Sequence, residues 1–137
     1  EGDWLLRGRG GELWNPPPPD WKERCEAMVL ALVARQQGVA NARHQFGKGA
    51  KCRIVHAAEV NRVADLWKGI HTMIEHVLPY VELDLISYSC YEGMKDGVTL
   101  WKCISEIKRH ARTTGLFKKN PVYIGPLLLL SPRGGAG

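Results

Sequence analysis

No apolar run in this chain approaches the roughly 20 residues that a bilayer-crossing helix needs, and its four cysteines, Cys25, Cys52, Cys90 and Cys103, lie far apart. The first absence excludes a transmembrane segment of that kind. The second, with no secretory leader ahead of the cysteines, removes the signature of a disulfide framework, so reduced thiols in an intracellular setting, cytoplasm or nucleus, are expected. The chain starts at Glu1 without a methionine, which reads as a processed product or an excised piece.

Catalytic signatures are scarce as well. A nucleophile needs a base within reach and a group that orients the base, and any triad drawn from these cysteines and histidines is a free choice among many. Gly47, Lys48 and Gly49 lack the spacing of a phosphate loop that opens a helix. Zinc domains normally show two close ligand pairs; Cys52 and His56 are four apart and His71 and His76 five apart, and the one tolerable pair, Cys52 with His56, would need ligands recruited from distant segments. The expectation is a non-enzymatic protein with no metal and no cofactor.

Acids are missing where the cations gather. Between residues 38 and 58 there are four Lys or Arg (Arg43, Lys48, Lys51, Arg53) and no acid, and from residue 92 to the end eight cations face three acids. Residues 57 to 91 carry five acids against two cations, so the net charge of +5 is two positive patches around an acidic middle. Such patches draw polyanions by long-range attraction and counterion release. The candidate nucleic-acid-binding residues are Arg43, His44, Lys48, Lys51 and Arg53 in the first patch and Lys108, Arg109, Arg112, Lys118 and Lys119 in the second. The expected partner is nucleic acid, RNA or another single strand favoured, provided folding gathers both patches on one surface. Arg-Gly pieces at Arg7 to Gly11 and Arg133 to Gly135 have the composition of disordered single-strand binders.

With 137 residues, 45% of them hydrophobic, the chain suits one domain with a core of its own. Residues 1–19 mix Gly, Arg and Trp with Pro16, Pro17, Pro18 and Pro19 and read as an extended arm. Residues 20–131 read as a single α+β domain and 132–137 as a flexible tail. Asp20 with Glu23 has the capping-box pattern, opening a helix over about 21–36 that Gly38 ends. Val60, Val63, Trp67, Ile70, Ile74 and Val77 follow helical spacing and predict a second helix over 57–78, up to Pro79. Leu100, Trp101, Ile104, Ile107 and Ala111 predict a third over 98–113, closed by Gly115.

Strands are expected at 52–56, at 81–90, where Glu82 and Asp84 alternate outward as a solvated face, and at 122–130. The fold class is α+β: three main helices with a small mixed or antiparallel sheet, and flexible arms at both ends. Trp67 and Trp101 are expected in the core. The apolar seam of the second helix would serve a homodimer as readily as a core.

Trp14, Pro16, Pro17, Pro18, Pro19 and Trp21 form a candidate ligand for an aromatic-lined groove on a partner protein. The run resembles the proline-rich budding motifs ahead of the folded domain of some viral matrix proteins, over residues 14 to 21 only and without the tyrosine those motifs carry. Small size, basicity and the proline-rich arm together give the expectation of a viral structural or accessory role. The alternative expectation is a protein-interaction or anionic-membrane-surface module of matrix type.

Overall fold

A computed structural model of the chain describes residues 2–8, 15–49, 51–117 and 119–125. Helix α1 (Gly2–Arg7) and the long α2 (Trp21–Phe46) precede strand β1 (Ala57–Val60). A 3-10 turn (Val63–Lys68), α3 (Met73–His76) and a second 3-10 turn (Leu78–Tyr80) lead to β2 (Glu82–Leu83) and β3 (Leu85–Tyr88). A third 3-10 turn (Gly93–Lys95), α4 (Gly97–His110), β4 (Arg112–Thr113) and β5 (Val122–Ile124) follow.

The mixed helix-and-sheet class expected from the sequence is present. The strand pairing is not the mixed or antiparallel one: β1, β3 and β5 form a sheet in that order, β2 pairs with β4, and every pairing is parallel. Parallel neighbours need long crossovers. The chain provides them as residues 61–84 between β1 and β3, and as α4 with its flanking loops between β3 and β5.

The predicted helix over 57–78 is where local pattern misleads most. Its first four residues are β1, in register with Leu85–Tyr88, and Gly69 takes a left-handed conformation with φ 70° that breaks any continuous helix. The apolar positions are nonetheless buried: Val60, Val63, Ile74 and Val77 have no exposed surface and Ile70 is 7% exposed. Val60, Val63, Ile74 and Val77 fill the protein's own core, so that part of the seam is covered within the chain. Trp67 and Trp101, expected inside, are 47% and 66% exposed.

Helix α2 runs past Gly38 to Phe46, so it continues beyond the end predicted at about residue 36. One glycine costs about 1 kcal/mol in a helix, too little to stop a segment with alanine, glutamine and arginine on either side. Asp20 does not cap it; its carboxylate accepts from Arg24 Nε at 2.8 Å instead. The third predicted helix is α4, and Asp96 caps it by accepting from Thr99 N at 2.7 Å. It ends at His110, ahead of Gly115. The first expected strand begins at Ala57, after the predicted 52–56 span, and the predicted 81–90 strand divides at Asp84.

The arm expected over residues 1–19 is, at Gly2–Arg7, a docked helix. The Asp3 carboxylate accepts from the backbone N–H groups of Asn61, Arg62 and Met73, and Arg7 is fully buried, with Nη1 2.8 Å from Asp65 and Nη2 donating to the His71 carbonyl at 2.9 Å. The first Arg-Gly piece is therefore anchored through Arg7. The predicted 132–137 tail, the end of the predicted 122–130 strand, the Arg133 piece, Trp14 and Lys118 lie outside the described residues.

Candidate nucleic-acid interface

The last turn of α2 carries the basic side chains of Arg43 and His44, at the negative end of a 26-residue helix dipole. Gly47 ends the helix by donating to the Arg43 carbonyl at 2.9 Å. Gly49, at φ 88°, adopts the left-handed conformation that glycine takes without strain. The chain returns past Lys51, Cys52 and Arg53, and Arg43 Nη1 ties it to the helix by donating to the Ile54 carbonyl at 3.2 Å.

The helix end and the returning loop enclose a cavity of about 660 Å³. All five candidate residues of the first basic patch, Arg43, His44, Lys48, Lys51 and Arg53, line it, together with Phe46 and Ile54. Phe46 is 71% exposed. Among the described residues no ion pair engages His44, Lys48, Lys51 or Arg53. Arg43 differs: its guanidinium is committed to Asp84, at 2.5 Å from Nη1 and 3.2 Å from Nη2. It builds the wall of the groove and is not a free cation.

Asp84 corrects a second expectation. Predicted on a solvated face, it is fully buried and accepts from Arg43, Gln36 Nε2, Thr114 Oγ1 and the His56 backbone N–H. Burial pushes its carboxyl up, but the hydrogen bonds from Arg43, His56 N, Thr114 and Gln36 outweigh that and hold it down at about 2.

The second basic patch does not line the groove. Lys108 and Arg109 are exposed on α4, where Arg109 donates twice to Glu106 at 3.0 and 2.8 Å. Arg112 is exposed in β4, in register with Glu82, and Lys119 is exposed beyond it. The two segments meet only indirectly, since Thr114, two residues past Arg112, shares the Asp84 carboxylate with Arg43.

In the proline-rich segment Pro16 and Pro19 are exposed and Pro17 and Pro18 half-buried. Trp21 is only 8% exposed and packs on His71 and His76, so it is not available to a partner's groove. Sequence reasoning also missed Phe46 and Glu75. Phe46 is the lone aromatic among the cations of residues 43–53, which was the available signal. Glu75 completes a cluster with His71 and His76 whose ligating atoms lie within 4.8 Å of one another.

Comparison with known protein families, with curated proteins and with solved structures yields no match. Among the described residues no helix is long and apolar enough to cross a membrane.

Proposed function

We propose that the chain is a non-enzymatic binder of single-stranded nucleic acid, RNA favoured, and that the strand lies in the basic groove at the C-terminal end of α2. The observation that carries this reading is the convergence of His44, Lys48, Lys51 and Arg53, without ion-pair partners among the described residues, on one cavity with an exposed Phe46. A cationic groove with an aromatic platform is the arrangement that tracks a phosphate backbone while a base stacks on the ring. Duplex recognition by shape would call for contacts across successive grooves, and the concavity, about 660 Å³, has room for a few nucleotides only. Lys108, Arg109, Arg112 and Lys119 extend the positive surface outside the groove and contribute long-range attraction.

The test is a salt titration of binding to a fluorescent uridine-rich RNA oligonucleotide, a duplex RNA of equal length and vesicles containing phosphatidylserine. Each single-strand phosphate neutralised contributes about 0.7 to the slope of log K against log salt. Replacing Lys48, Lys51 and Arg53 together by Ala should lower that slope by about 2 for the single strand. An unchanged slope, or binding to vesicles alone, would overturn the reading; the vesicle result would favour the anionic-surface alternative.

A further inference from the structure

At the opposite end of α2 from the basic groove, about 37 Å away along the helix axis at 1.5 Å per residue, two imidazoles meet. His71 Nδ1 and His76 Nε2 are 2.7 Å apart. One nitrogen must donate and the other accept, so at least one ring is neutral and offers a lone pair to its neighbour. Glu75 stands beside them, and one ligating atom from each of the three side chains falls within 4.8 Å of the others. The two histidines are half-buried and Glu75 is exposed.

A backbone turn, a hydrogen bond and two ring contacts hold this cluster in place. Gly69, left-handed at φ 70°, turns the chain from the 3-10 segment toward His71. The His71 carbonyl accepts from Arg7 Nη2 at 2.9 Å, and Arg7 is locked in turn by Asp65. The Trp21 indole stands edge-on to His76 at 5.6 Å and tilted to His71 at 6.2 Å. α3 begins after Thr72 and sets Glu75 and His76 on adjacent positions of a single turn.

We propose that His71, Glu75 and His76 bind a divalent transition-metal ion of the zinc class. Two imidazole nitrogens and one carboxylate oxygen are a donor set that suits zinc and its first-row neighbours and that magnesium and calcium, which prefer oxygen, do not favour. Bond lengths near 2.0–2.1 Å in a tetrahedral site place two nitrogens about 3.3 Å apart, so the ion enters after the rings separate by roughly 0.6 Å from their hydrogen-bonded spacing and turn until both lone pairs point at it. Glu75 reaches it by a rotamer change at an exposed position, which costs little. Three protein ligands leave a fourth position open, and His76 also lines a largely apolar cavity of about 760 Å³ with Trp21, Cys25, Val29, Leu30 and Tyr80. The fourth position would take water or an oxygen of a small ligand.

The experiment is a calorimetric titration of the whole chain with zinc, repeated with magnesium, alongside imidazole NMR of the wild-type protein. One zinc per chain is expected, with magnesium silent. His71→Ala and His76→Ala should each weaken zinc at least about 100-fold, and Glu75→Gln about 10-fold, while Cys52→Ser, which removes the exposed thiol, leaves affinity unchanged. In the wild type zinc should shift the ring resonances of His71 and His76 and leave those of His44 and His110 in place, a readout that does not require any variant to fold. Absence of zinc binding, zinc retained by the His71→Ala/His76→Ala double variant, or ring shifts confined to other histidines would each overturn the proposal.

Discussion

Asp84 and Arg43 are 41 residues apart in the chain, and the carboxylate of one lies 2.5 Å from Nη1 of the other, with no exposed surface on the Asp84 side chain. Gln36, Thr114 and the His56 backbone complete the shell. The end of α2, the approach to β1 and the segment after β4 therefore meet on a single carboxylate, at the point where the chain passes from β2 to β3. The basic groove is built on that junction, because the Arg43 side chain that holds Asp84 also pins the returning loop at Ile54.

Arg43→Ala leaves the buried carboxylate without its charged partner, and breaking a buried pair from one side costs about 3–5 kcal/mol. The remaining donors from Gln36, Thr114 and His56 place the expected loss near the lower figure, about 3 kcal/mol. Asp84→Asn in the same chain should recover part of it, since no unpaired charge is then buried. Urea denaturation of the three variants checks the sign and the coupling; a loss in the double variant equal to the sum of the two single losses would mean that the pair carries no net coupling.

The same carboxylate sets an acid limit. Its pKa, about 2 in the fold against an ordinary 3.8, is depressed, so it contributes stability that is complete above about pH 4 and is lost as pH falls toward 2. A displacement of that size is worth about 2 kcal/mol. Glu92 acts with the opposite sign: burial pushes its carboxyl up, so its contribution favours the fold on the acid side and fades as pH rises through its folded value. Thermal melts between pH 5 and 2 should show the wild type losing stability more steeply than Asp84→Asn. Parallel curves would remove Asp84 as the cause.

Parts of this architecture were legible in the residues alone. α4 was, because Leu100, Ile104 and Ile107 supply one apolar stripe and the helix satisfies its own backbone whatever lies around it. The first basic patch was visible as a run of cations without acids, and the fold places all five of its residues in one groove. What local pattern could not carry is anything decided by a partner far along the chain. Ala57–Val60 is a strand because Leu85–Tyr88 pairs with it, and helical spacing in its side chains does not record that pairing. α1 owes its docking to Asp3 and Arg7 finding Asn61, Met73 and Asp65 some sixty to seventy residues on. Asp84 alternates with apolar neighbours as a surface residue would, and its burial depends on donors from Gln36, Arg43, His56 and Thr114, all distant in the chain.

Phe46 offers a direct test of stacking in the groove. It is exposed and makes no core contact that its loss would disturb, so Phe46→Ala should leave the melting temperature within a degree or two while weakening single-stranded RNA by about 1–3 kcal/mol, roughly 5- to 150-fold. The salt slope should be unchanged, because no phosphate contact is removed. Equal affinity in wild type and variant would exclude the ring as a platform and leave a purely electrostatic groove.

Two glycines predict opposite outcomes for one substitution. At Gly2 an added Cβ would meet the Met73 sulfur and lie 2.5 Å from the Glu59 carbonyl oxygen, a backbone atom of β1 that cannot swing aside. Gly2→Ala should therefore lift α1 from its seat, weakening the Asp3 bonds to Asn61 and Met73, at a cost of about 1–3 kcal/mol. At Gly38, inside α2, nothing lies within 4 Å of the same methyl group. Gly38→Ala should stabilise the protein by about 0.5–1 kcal/mol, by favouring the helix and restricting the unfolded chain. Hydrogen exchange separates the two: Gly2→Ala should expose the amides of Asn61 and Met73 while α4 stays protected, and Gly38→Ala should slow exchange along α2. Protection at Met73 that survives Gly2→Ala would mean that α1 does not depend on the close approach at Gly2.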